Sequence, residues 1–148
     1  MNNLLKRALE IYLLTQPSTD PDIIIIVETS DSIDDVLMSL LVREIQEIAS
    51  TFGIPILVLY VDYQYRACQF IELGEQVELC PAGGGGTDFR AGFRYIEAYD
   101  FRPDVVIYLT DGRSPYFPEA LECKVIWAQF GKAHFDPPFG DKVQMSNN

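Results

Sequence analysis

Five consecutive β-branched residues, Ile23-Ile24-Ile25-Ile26-Val27, constrain the fold more than any other part of this chain. A strand alternates its side chains between two faces, so a run with no polar position needs cover on both. That requirement predicts a central strand of a parallel sheet rather than a strand with one wet face. The preceding stretch, Gln16 to Asp22, carries two prolines and polar turn formers and is a loop by composition.

After this run the period changes. Ile33, Val36, Leu37, Leu40, Leu41, Ile45, Ile48 and Phe52 form a helical stripe over residues 33–52, and Gly53 follows as a C-terminal glycine. Asp34, Arg43, Glu44 and Glu47 are expected on the outer side. Ile56 to Val61 is a second buried strand, which makes a right-handed strand–helix–strand unit. Tyr65 to Ile71 follows after a brief turn and is expected to be an antiparallel edge strand. A second helix is expected from Gly83-Gly84-Gly85-Gly86 to about Tyr99, with Phe89, Phe93, Ile96 and Tyr95 as its inward candidates. Val105 to Leu109 and Lys124 to Ala128 are further buried strands, and Asp141 to Met145 is a last edge strand. The expected fold is α/β: an open, mostly parallel sheet with helices on both faces.

In such sheets ligands bind outside the carboxyl ends of the strands. Three segments rich in oxygen ligands are expected there. They are Glu28-Thr29-Ser30-Asp31-Ser32, Thr87-Asp88 and Thr110-Asp111-Gly112. Hydroxyls and carboxylates without His or Cys suit a hard cation, Mg²⁺ first, with Mn²⁺ or Ca²⁺ as alternatives. Each segment also has a structural explanation. Ser32 begins a capping-box-like start, Thr87 or Asp88 suits a helix cap, and Asp111-Gly112 is a common turn pair.

Glu28-Thr29-Ser30-Asp31-Ser32-Ile33 resembles the Asp-x-Ser-x-Ser motif of von Willebrand factor A (VWA) domains. The likeness is closer to the VWA-like domain of a bacterial metallopeptidase-like family. That family has runs similar to Gly83 through Phe89 and to Arg102-Pro103-Asp104 and Tyr108 through Gly112. The resemblance spans about residues 22–143 and implies a Rossmann-type sheet ordered 3-2-1-4-5-6. It further implies metal ligation by Glu28, Ser30, Ser32, Thr87 and Asp111. Asp31, Asp62 and Asp88, read from their places in or beside the same loops, are candidates for supporting positions behind these ligands. A protein partner's Asp or Glu would complete the coordination, and an AAA+ ATPase or a larger assembly is the kind of partner implied. Two residues depart from the motif: Glu28 replaces its first Asp, and Asp31 replaces a usual Gly. The alternatives are a Mg²⁺-dependent phosphoester hydrolase using Glu28, Asp31, Asp88 and Asp111 with Arg90 or Arg113, and a degenerate metal-free scaffold. Tyr116 and Phe117, in a Pro-bounded loop near Asp111, are candidates for partner contact.

Composition narrows the rest. The 148 residues fit one domain, with residues 1–16 expected as a docking helix and 22–145 as the VWA-like domain. Leu4, Ala8, Ile11 and Tyr12 mark the docking face, and the charges among these residues argue against a signal peptide. With 22 acidic and 11 basic residues the net charge is −11, which disfavours nucleic-acid binding. No apolar run reaches the roughly 18 residues of a membrane span, so a cytoplasmic protein is expected. Cys68, Cys80 and Cys123 form no CxxC pair; Cys68 and Cys123 are expected as buried small hydrophobes. The only histidine, His134, excludes an HExxH zinc site, and no P-loop or nucleophile elbow is present, so no enzyme is expected.

Overall fold

The computed structural model describes residues 2–12, 21–29, 34–72, 75–76 and 85–145, with only the backbone of residues 9–12. Its elements are α1 (Asn3–Tyr12), β1 (Ile23–Glu28), α2 (Asp35–Phe52), β2 (Ile56–Val61), β3 (Tyr65–Ile71), α3 (Arg90–Ala98), β4 (Val105–Thr110), β5 (Lys124–Gln129) and β6 (Asp141–Gln144). Among the described residues the strands form one six-stranded sheet ordered β3-β2-β1-β4-β5-β6. Every neighbouring pair is parallel except β2 with β3. The expected α/β architecture and strand order are therefore observed.

The isoleucine run is fully buried on both faces, as its composition demands. Ile23, Ile25 and Val27 pack against Met38, Leu41, Ile45 and Ile48 of α2. Ile24 and Ile26 pack instead with Phe89, Phe93 and Ile96 at and within α3. Each such aliphatic side chain removed from water stabilises the fold by about 1.5–3 kcal/mol before chain entropy is counted. Trp127 anchors the α3 side. Its ring packs on Phe89, Phe93 and Tyr108, and its indole N–H donates to the Phe139 carbonyl at 2.9 Å.

Several local expectations need correction. Helix α2 starts at Asp35, and Asp34 is its N-cap, accepting from the Leu37 N–H at 2.8 Å. Its C-terminus is capped at Gly53, as expected. Val36, placed on the inward stripe, is 71% exposed, whereas Leu37 and Leu40 are half-buried. Helix α3 begins at Arg90, after the glycine segment rather than within it. In α1 the buried residue is Leu5, with Ala8 packed against the core, whereas Leu4 is exposed. Asn2 accepts from the Leu4 and Leu5 N–H groups at the start of this helix. Cys68 is exposed on the edge strand β3, and Cys123 is half-buried; Cys80 lies outside the described residues. Among the described residues no helix is long and apolar enough to cross a membrane.

Candidate functional site

The parity of the strands builds the centre of the site. Even-numbered residues of β1 and β4 face α3, so Glu28 follows Ile24 and Ile26, and Thr110 follows Val106 and Tyr108. The register pairs Val27 with Leu109, which brings Glu28 and Thr110 together on one face at the carboxyl edge. The segment entering α3 lies over the same face and supplies Thr87.

Glu28 is fully buried and joins these segments. Its Oε1 accepts from the Thr87 hydroxyl. Its Oε2 accepts from the Thr110 hydroxyl at 2.5 Å and from the Asp111 backbone N–H at 3.0 Å. The extra methylene relative to Asp gives the carboxylate the reach to span from the Thr87 segment to the end of β4. Thr110 also accepts from the Gly112 N–H at 3.0 Å, tightening the turn that presents Asp111. Sequence reasoning placed Thr110 in an oxygen-rich segment but gave it no role in the site. Its signal was available in strand parity, which places a hydroxyl one residue before Asp111 on the Glu28 face.

Asp111 projects from the opposite parity, toward the α2 side. Its Oδ1 accepts from the Arg113 N–H at 3.1 Å, and the Arg113 Nε lies 3.6 Å from Oδ2. Glu28, Thr87 and Asp111 are thus brought to one edge. Ser30, Asp31 and Ser32 lie outside the described residues. Among the described residues, no three His, Cys, Asp or Glu side chains cluster as a metal-binding group.

Asp62 and Asp88 have supporting positions. Asp62 Oδ1 accepts from the Gln64 N–H at 3.0 Å and Arg66 Nε at 2.9 Å, and Oδ2 from the Gly85 N–H at 3.3 Å. Its backbone carbonyl accepts from the Asp88 N–H at 3.1 Å. Asp62 therefore ties the end of β2 to the segment carrying Thr87. Burial alone would raise its carboxyl pKa. The hydrogen bonds from Arg66, Gln64 and Gly85 outweigh burial and hold it below the ordinary 3.8. Asp88 is held low chiefly by its hydrogen bonds to Arg90. The Arg90 guanidinium also lies 4.8 Å from the Tyr116 ring centroid. Arg90, a candidate phosphate clamp, is thus engaged by both.

Tyr116 is exposed, whereas Phe117 is half-buried and packs on Phe89, Trp127 and Phe135. Among the described residues, the fully buried Tyr108 hydroxyl has no hydrogen-bond partner. Burial, then the charges of Glu28 and Asp88, push its pKa well above 10.0.

Replacing Asp62 by Asn should lower unfolding stability at pH 7 by about 2 kcal/mol, because one carbonyl cannot replace two acceptor oxygens. The folded-state pKa is depressed, so the wild-type advantage is present above pH 3.8 and is lost as pH falls through the folded value. Urea unfolding of both proteins across acidic pH measures this. A gap that stays constant down to full protonation would contradict the assignment.

A search of curated protein sequences finds no match. Among solved structures, the chain is similar to the crystal structure of VWA2, an ArnB paralog from Sulfolobus acidocaldarius. The TM-score is 0.58 at 16% identity, which supports a shared fold. The likeness covers 86% of this chain but only 37% of that protein, so the chain spans little more than a third of its relative's length. Residues 23–146 match the family described as VWA-like domain (DUF2201). The chain belongs to this VWA-like domain family.

Proposed function

We propose that this domain is a protein-interaction module that holds a divalent cation at the carboxyl edge of its sheet and binds a partner's carboxylate there. The observation that supports this reading is the convergence of the Thr87 and Thr110 hydroxyls and the Asp111 backbone N–H on the Glu28 carboxylate. A hydroxyl that donates its proton to Glu28 keeps lone pairs for a cation, so the carboxylate orients Thr87 as a ligand. The donors are all oxygen, which fits Mg²⁺, Mn²⁺ or Ca²⁺ and disfavours a softer ion.

Thr87 and Asp111 would hold the cation, with Glu28 acting directly or through water. Ser30 and Ser32 join this set by the family motif. When bound, the cation supplies a positive centre that a partner's Asp or Glu can complete. Asp111 is buried at 8% exposure and lines the cavity beside the site. Glu28 keeps the hydroxyls aligned, and Asp62 and Asp88 position the segment before α3. An AAA+ ATPase or larger assembly as partner rests on the family resemblance.

One observation favours a second reading, a metal-free scaffold. Both Glu28 oxygens are already engaged, so the carboxylate itself cross-links the segments that a cation would hold. Titration separates the two readings. Mg²⁺, Mn²⁺ or Ca²⁺ added to chelator-stripped protein should raise Tm progressively, by about 2.7 kcal/mol of stabilisation at one hundred times Kd. The Ser30→Ala/Ser32→Ala and Asp111→Asn proteins should fold but lose the response. Absence of any shift at millimolar metal would favour the scaffold.

A further inference from the structure

Beside Asp111, on the α2 side of the sheet, lies a cavity of about 270 Å³. Val36, Leu37 and Leu40 of α2 form one wall. Phe130, Gly131 and Ala133, after β5, form the other. Asp111 and Arg113 close one side, and Lys132 and Asp34 also line it. We propose that this cavity takes an aliphatic side chain adjacent to the partner's acidic residue, so that the domain recognises an acidic–aliphatic segment. The position of the carboxylate rests on the metal-dependent reading above; the cavity does not.

Three observations carry the proposal. The first is Val36, an apolar residue left 71% exposed at the lip while its helical neighbours Leu37 and Leu40 are part-buried. Such a residue gains most from a partner that covers it. The second is continuity. Asp111 belongs both to the oxygen-lined site and to this cavity, so one extended segment can reach both.

The third is charge. A protein with a net charge of −11 repels an acidic partner at long range. Arg113, 70% exposed, and exposed Lys132 place two cations at this cavity. Asp34 faces the same space, but its Oδ1 caps α2. Asp111 has its charge partly offset by Arg113. Arg113 and Lys132 thus offset Asp34 and Asp111, so this rim repels an anionic segment less than the net charge of the chain would. The cavity is smaller than most ligand pockets, which occupy about 300–1,000 Å³, and suits one side chain with its backbone.

The test uses the full ¹⁵N-labelled chain and three probes: acetyl-Leu-Glu-amide, acetyl-Ala-Glu-amide and acetyl-Leu-Gln-amide. Each is titrated with excess Mg²⁺ and again with chelator. With Mg²⁺, the Leu-Glu probe should shift the amides of Leu37, Leu40, Gly131 and Ala133. It should bind about ten-fold more tightly than the Ala-Glu probe, through the extra buried carbons. Val36→Asp should abolish that preference, and Lys132→Glu should weaken both Glu probes alike; both are surface changes and should leave Tm unchanged.

Equal binding of the Leu-Glu and Ala-Glu probes, or shifts confined to Thr87 and Asp111, would overturn the cavity assignment and leave the metal reading intact. A Leu-Glu preference that persists in chelator, with no response to Mg²⁺ alone, would uphold the cavity and overturn the metal reading. No shift of the cavity amides by any probe would overturn the cavity assignment.

Discussion

Glu28→Ala should lower unfolding stability by about 3 kcal/mol, a fall in Tm on the order of 10 °C, and abolish any stabilisation by divalent metal. The substitution strands the Thr110 hydroxyl and the Asp111 N–H, both buried, without their acceptor. It also opens a cavity where a fully buried side chain stood. Glu28→Gln tests the chemistry more finely. Its single carbonyl oxygen can serve Thr110 and Asp111, while its NH₂ group turns the Thr87 hydroxyl into an acceptor. That consumes a lone pair otherwise available to a cation, so Glu28→Gln should fold with a loss of about 1 kcal/mol and respond weakly to metal. Thermal melts of the three proteins with and without Mg²⁺ provide the measurement. A Glu28→Ala protein more stable than wild type would show that the carboxylate is a buried charge held at a cost, not a cross-link.

The distinction matters because Glu28 is one of the two positions at which this chain departs from the Asp-x-Ser-x-Ser motif it resembles, and its longer side chain gives the reach. Strand parity and register made its meeting with Thr110 legible, since both follow buried even-numbered residues of adjacent strands. The same logic made the isoleucine run and the strand order legible. Patterning failed where burial depends on how far a neighbouring element extends. Val36 has helical phase but is exposed in the first turn of α2, and Cys68 has strand phase but lies on β3, where cover is incomplete. In α1 it is Leu5 that is buried and Leu4 that is exposed, which hydrophobic spacing did not report. Helix α2 chose Asp34 as its cap although Ser32 fitted the motif, because both residue types accept equally well from a first-turn N–H. Ligand residues and capping residues share this chemistry, so composition alone cannot divide them.

Gly112→Ala should cost about 3 kcal/mol, and the same change at Gly131 only about 1 kcal/mol. Both glycines hold left-handed backbone, with φ of +85° and +84°. An alanine therefore incurs similar backbone strain at each, about 1 kcal/mol. They differ in space. A Cβ at Gly112 would stand 2.9 Å from Gln129 Nε2 and 2.9 Å from Phe135 Cβ, whereas nothing lies within 4 Å of one at Gly131. Neither neighbour of Gly112 yields easily. Gln129 Nε2 donates to the Ala133 carbonyl at 2.7 Å, and Phe135 is buried among Phe89, Phe117 and Trp127. Relief would come from moving the Thr110–Gly112 turn, whose Gly112 N–H and Asp111 N–H hold Thr110 and Glu28 in place. Gly112→Ala should thus weaken the metal response as well as stability, while Gly131→Ala leaves the response intact. Chemical denaturation of both variants, paired with Mg²⁺ titration, checks this. Equal losses at the two positions would mean that backbone strain alone, and not the packing behind Asp111, sets the need for glycine.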